Sequence, residues 1–263
     1  MTTLQESASG FGLGSSCIDE RIDTHARNDP GTRADRNMPR VALHEPGLLV
    51  LDNVLPPEVF RALFREVANA QFRSVHADRR EPVWRLWDGQ PLRGGSVHYD
   101  PGAIFSGQGP RYPTATVVDL LIDGVREVVA AHPDTVGRER MDWIALYLAA
   151  WLYPVGSALS LHRDGDKYSG AFTFFVHPRW CAHWGGELLV LPPSSQPCGD
   201  SEDRIADDGD GIDDPGLAVC IIPKPNRLVL LGPDRPHRIA RVDANAGTHA
   251  RASIAGFFLR PPR

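Results

Sequence analysis

Cysteine is scarce in this chain and never closely paired. Cys17, Cys181, Cys198 and Cys220 are scattered over 263 residues with no CxxC among them. That spacing argues against a zinc ribbon or a disulfide framework, so the thiols read as reduced, in a cytoplasmic protein. Positive charge is not in excess either. Lys and Arg number 28 against 33 Asp and Glu, a net charge of −5, so neither nucleic acid nor an anionic membrane is an expected partner. No basic-then-apolar segment opens the chain, and no apolar run approaches transmembrane length.

What the chain does have is 42% hydrophobic residues with 23 prolines and 25 glycines. These suit a sizeable core crossed by many turns, as in a mostly β, α+β fold. Residues 1–40 are polar and without periodicity and read as a disordered extension; residues 41–263 read as one domain, with order beginning near Gly47. A strand is expected over 48–53. A helix follows over 56–70, opened by prolines, with Val59, Leu63 and Val67 on one stripe. Residues 73–113 hold Arg79, Arg80, Trp84, Arg85, Trp87, His98 and Tyr99 among many glycines, and read as an irregular substrate lid. A second helix is predicted over 116–131, its apolar positions being Val117, Leu120, Leu121, Val125 and Val128.

Beyond residue 141 the pattern turns to β. Strands are expected at 144–153, 159–164, 171–176, 187–191, 219–222, 227–231, 237–242 and 251–259. Short strands in that number, with helices gathered toward the N-terminus, suggest a double-stranded jelly roll. The acidic run within 207–214 lacks the closing glutamate of a calcium loop and reads as a solvated loop.

His162 and Asp164 are the chemical centre of this pattern. Strand side chains alternate, so residues two apart leave one face together. His237, after the apolar run 228–231, is the best third partner. Two histidines and one carboxylate form the facial ligand set of non-heme Fe(II) oxygenases, with positions left open. Such a site favours an anionic chelating co-substrate, the natural one being 2-oxoglutarate, whose far carboxylate needs a cation. Arg251 with Ser253 fits that need. Arg241 shares the His237 face and competes with Arg251; Arg238 faces the other way. Tyr147, Trp151 and Tyr153 line one strand face, where Tyr153 and Tyr147 are candidate hydrogen-bond donors to the co-substrate. His177, His183 and His249 have no carboxylate partner on their face and read as structural.

Taken in order, these residues resemble the prolyl 4-hydroxylase-like branch of the Fe(II)/2-oxoglutarate-dependent dioxygenases. Tyr153 and Gly156 stand at the family's Tyr-x-x-Gly spacing. His162-Arg163-Asp164 matches its HxD motif, and Trp180 with Trp184-Gly185-Gly186-Glu187-Leu188 its tryptophan and GGEL turn. Residues 223–228, then His237, then Arg251-x-Ser253 complete the likeness, which covers about residues 45–260. The resemblance implies iron, 2-oxoglutarate and O2 as cofactors and co-substrates, with succinate and carbon dioxide released as an aliphatic C–H is hydroxylated. Related halogenases carry a small residue where this chain has Asp164, so hydroxylation is favoured over halogenation. Desaturation, epoxidation and ring closure stay open. A small molecule, such as an amino acid or natural-product intermediate, is the expected substrate. Peptidyl proline is the first alternative, and a non-catalytic jelly-roll binder the second.

Overall fold

Backbone alternation decides how the large sheet divides its work. The computed structural model describes residues 39–77, 83–104, 109–193 and 216–262. In chain order the strands are β1 (Arg40–Glu45), β2 (Leu48–Asp52), β3 (Arg73–Ser74), β4 (Leu92–Tyr99), β5 (Ala145–Tyr153) and β6 (Leu159–His162). Then come β7 (Tyr168–Phe175), β8 (Leu188–Val190), β9 (Val219–Ile221), β10 (Arg227–Leu231), β11 (His237–Ile239) and β12 (Arg251–Leu259). The helices are α1 (Pro57–Asn69), α2 (Val118–Ala131) and the short α3 (Pro133–Val136).

An eight-stranded antiparallel sheet runs β1-β2-β10-β7-β12-β5-β4-β3, and a four-stranded one runs β6-β11-β8-β9. One face of the large sheet, through Leu146, Leu148, Leu152, Ile254 and Phe258, forms a core with Leu63 and Val67 of α1 and Leu121, Ile122, Val125 and Val129 of α2. The opposite face supplies Ala149, Trp151, Tyr153 and Phe175 to a second core, shared with Leu159, Leu188, Val190, Ile221 and Ile239 of the small sheet. The mostly β architecture with supporting N-terminal helices is the expected one.

Four local expectations need correction. Order starts before Gly47, because β1 is a polar edge strand held by its pairing with β2 rather than by an apolar pattern. The 73–113 segment is not wholly irregular. It contains β4, whose Leu-Arg-Gly-Gly-Ser-Val-His-Tyr sequence lacks alternation but pairs along β5. On α2 the buried stripe is Val118, Leu121, Ile122, Val125 and Val129, and Leu120 is 49% exposed. The metal-motif strand stops at His162, so Asp164 lies in the loop beyond it. Residues 1–38, which include Cys17, and the acidic run at 207–214, with Cys198, lie outside the described residues, as do Arg79 and Arg80. Cys181 and Cys220 are exposed free thiols. Among the described residues no helix is long and apolar enough to cross a membrane.

Candidate metal centre

Strand pairing brings the two histidines face to face. His237 of β11 stands directly opposite His162 of β6 in the antiparallel ladder, and their ring centroids are 4.4 Å apart. Each ring is steered by its own backbone. His162 Nδ1 lies 2.9 Å from the Ser160 carbonyl, and His237 Nδ1 lies 3.0 Å from that of Arg235. A carbonyl only accepts, so each Nδ1 carries the proton and each Nε2 keeps a free lone pair. This is the orienting bond that metal-binding imidazoles use.

Asp164 completes the group from the loop after β6. One of its carboxylate oxygens is 3.9 Å from His162 Nε2. Ligand-type atoms of His162, Asp164 and His237 all lie within 4.8 Å of one another. Both histidines are buried. Burial, and then the neighbouring His237, lower the His162 pKa to about 4, so this imidazole is neutral at physiological pH. Two imidazoles and one acidic side chain suit a divalent transition ion.

Arg251 opens β12 on the same inner face, in register with Tyr153 of β5. It is 0% exposed. Its Nε donates to the Gly186 carbonyl at 2.8 Å and its Nη1 to Ser253 Oγ at 3.1 Å. The guanidinium carbon packs 4.9 Å from the ring centres of both Tyr153 and Phe175. The Gly185-Gly186 turn shapes this seat. Both residues have positive φ, and a Cβ at Gly186 would come within 3.0 Å of Arg251 Cδ. Burial lowers the Arg251 pKa to about 10, which still leaves it charged. Neither hydrogen-bond partner is an anion, and its buried Nη2 has no hydrogen-bond partner among the described residues. A buried cation with an unfilled donor is costly unless an anion meets it. The far carboxylate of 2-oxoglutarate fits that requirement. Burial also raises the Tyr153 pKa, so its phenol stays protonated and able to donate.

The structure therefore gathers His162, Asp164 and His237, and separately Arg251, Ser253 and Tyr153, on surfaces facing the space between the sheets. It does not bring Tyr147 to Arg251. Tyr147 pairs with Phe257, six strand positions from the Tyr153–Arg251 rung. There its hydroxyl accepts from Arg93 Nη2 at 2.6 Å, and its ring stacks on Phe257. Arg241, the competing cation, is exposed and bonds the carbonyls of Gly156 and Trp87 instead. Arg238 is exposed, and both ring nitrogens of His177 are engaged by backbone carbonyls. His183 is exposed and His249 stacks on Trp184.

Sequence reasoning missed four supports. Arg93 is one, since β4 has no strand pattern to give it a face. The steering carbonyls of Ser160 and Arg235 are others, although each precedes its histidine by two residues, a regularity that could have drawn notice. Trp84 was only one of many aromatics in its segment; it stacks 5.5 Å from Trp151 and lies 5.9 Å from Tyr153.

No protein-family model matches the chain, and no curated protein matches it. Solved structures do. A prolyl-4-hydroxylase from Pseudomonas putida superposes with a TM-score of 0.52 at 18% identity, covering 81% of this chain and 93% of that one. A prolyl hydroxylase from Trichoplax adhaerens, solved with a hypoxia inducible factor peptide, gives 0.53 at 15% identity, covering 82% and 84%. An oxidoreductase of the 2OG-Fe(II) oxygenase family from Burkholderia pseudomallei gives 0.51 at 16% identity, covering 89% and 93%. At these identities the likeness establishes the fold, the double-stranded β-helix that such oxygenases have. The resemblance drawn from the sequence motifs thus extends to the whole architecture.

Proposed function

We propose that the chain is an Fe(II)- and 2-oxoglutarate-dependent oxygenase that hydroxylates an aliphatic C–H of a small polar molecule. The observation that carries this is the pairing of a His-Asp-His cluster, both histidines buried, with a buried Arg251 whose Nη2 has no hydrogen-bond partner among the described residues. His162, Asp164 and His237 would hold the iron. Arg251 and Ser253 would bind the far carboxylate of 2-oxoglutarate, and Tyr153 would donate beside them. Bound iron and 2-oxoglutarate supply the oxidising chemistry, with succinate and carbon dioxide as co-products. The protein's own part is orientation and exclusion of water. Tyr153, Phe175 and Trp151 are buried around that end of the site and keep it dry, which strengthens the guanidinium–carboxylate contact.

A small polar substrate is supported by the rest of the inner face. Arg93 donates to Ser96 Oγ at 3.0 Å as well as to Tyr147, and lies over the Trp151 ring at 5.4 Å. It is a cation held in place and suited to a substrate carboxylate, as in an amino acid. The buried indole N–H groups of Trp84 and Trp151 have no hydrogen-bond partner among the described residues and would serve a polar ligand. Peptidyl proline hydroxylation is the second reading. It is favoured by Leu86 and Trp87, which are 86% and 62% exposed, with Trp87 bonded to Ser160 of the metal-motif strand.

The test is succinate release from 2-oxoglutarate under air, with Fe(II), across amino acids, small carboxylic acids and proline-containing peptides. Stimulation by an amino acid or small acid is expected. Stimulation by peptides alone would replace the small-molecule reading, and no release with any addition would remove the catalytic one.

A further inference from the structure

A second His-His-Asp cluster stands outside the centre described above and shares no residue with it. His44 comes from the edge strand β1, and His132 and Asp134 flank Pro133 where α2 gives way to α3. His44 Nε2 is 2.9 Å from Asp134 Oδ2. The His44 and His132 rings meet edge to face with centroids 5.2 Å apart. One ligand-type atom from each of the three residues falls within 4.8 Å of the others.

The backbone under these side chains is well anchored. His132 caps α2, its N–H reaching the carbonyls of Val128 and Val129, and its own carbonyl accepts from Thr135 N. Pro133 fixes the next φ. Thr135 and Val136, just beyond Asp134, are buried. His44 is held opposite Leu49 of the buried strand β2. Gathering three ligands on one ion therefore needs only side-chain rotation. Around a tetrahedral zinc with bonds of about 2.0–2.1 Å, ligand atoms sit about 3.3 Å apart. The His44–Asp134 pair is already closer than that, and His132 has to swing in by an ångström or so.

Two imidazoles and a carboxylate form a borderline donor set. It selects zinc, copper or nickel over calcium and magnesium, which prefer oxygen ligands. The donors match those of the buried centre, but the setting differs. Here the side chains are half-exposed or exposed, so water would fill the remaining positions. We propose that His44, His132 and Asp134 form a surface site for a divalent transition cation that ties the edge strand β1 to the α2–α3 corner.

Zinc is the probe. In calorimetric titration of the full chain, two zinc ions per chain are expected, one at each cluster. His44→Ala and His132→Ala should each reduce this to one, as should His162→Ala, and the His44→Ala/His162→Ala pair should bind none. Zinc should also raise the melting temperature of His162→Ala, and this rise should vanish once His44→Ala is added. If His44→Ala and His132→Ala keep the parent's stoichiometry and lose less than threefold in affinity, the surface site does not exist. A wild-type chain that binds a single zinc, lost with His162→Ala, overturns it equally. Because the His162→Ala arm removes the buried centre, failure there bears on the surface site alone and leaves the oxygenase reading untouched.

Discussion

The two faces of the eight-stranded sheet come from the same strands and follow opposite rules. On β5 and β12 the outward side chains, Leu146, Leu148, Leu152, Ile254 and Phe258, are apolar and pack on α1 and α2. The inward ones on the same strands include Tyr153, Arg251 and Ser253, buried yet polar. Each outward group lies among apolar neighbours, whereas Arg251 is left with a donor unfilled. The outer face accounts for stability. On the proposed reading, the inner face gives up some stability to keep a ligand site ready.

That contrast can be broken in four ways. The largest effect belongs to His162→Ala, which should drop succinate formation to the no-enzyme level while circular dichroism and melting stay near those of the parent. Unaltered turnover would take His162 out of the site. Phe258→Ala on the outer face should do the reverse. It should cost about 3–5 kcal/mol in urea unfolding, with the KM for 2-oxoglutarate unchanged in the folded fraction. A cost below about 1 kcal/mol would mean that this face is not the main core.

Arg251→Met sharpens the inner-face claim. Loss of two charged hydrogen bonds should weaken 2-oxoglutarate binding about 100-fold. The unliganded chain should be as stable as the parent or more so, because a fully buried charge that makes no ion pair among the described residues has gone. Reduced stability with undiminished binding would assign Arg251 to scaffold.

The smallest effect is at the sheet's rim. Asp52 is buried and accepts from Arg227 at 2.8 Å and Lys224 at 2.7 Å. Burial pushes its carboxyl up, but these two cations outweigh burial and hold it at about 2. The folded pKa lies below the unfolded value of about 3.9, so the stabilisation is complete above that pH and lost as pH falls toward 2. It amounts to about 2 kcal/mol. Asp52→Asn should flatten acid unfolding between about pH 4 and 2, and an unchanged pH profile would show that the cluster contributes nothing.

Legibility followed how local each signal was. The His-x-Asp pair and the Gly-Gly turn were legible as short motifs shared with a family, whereas Arg251-x-Ser253 could be read because strand alternation acts over two residues. The inward stripe of Trp151 and Tyr153 was legible for the same reason. Three strands were not, the two-residue β3 among them. β1 is polar because it lies at an edge, and β4 carries Gly94-Gly95 and borrows its order from β5. Asp164 reaches the centre from a loop, where alternation no longer predicts direction. Tyr147 was rightly given the inward face, but face alone could not tell how far along the strand it stood from Arg251. His44, His132 and Asp134 escaped notice altogether, since only the packed corner brings residues 90 positions apart together.

Visible absorption during anaerobic addition of Fe(II) and 2-oxoglutarate measures the central claim most directly. The wild-type chain should develop a weak charge-transfer band that saturates near one equivalent of each, and Asp164→Ala and Arg251→Met should weaken or abolish it. A wild-type chain that shows no band, with both additions present in excess, would contradict the joint binding of iron and co-substrate on which the oxygenase reading depends.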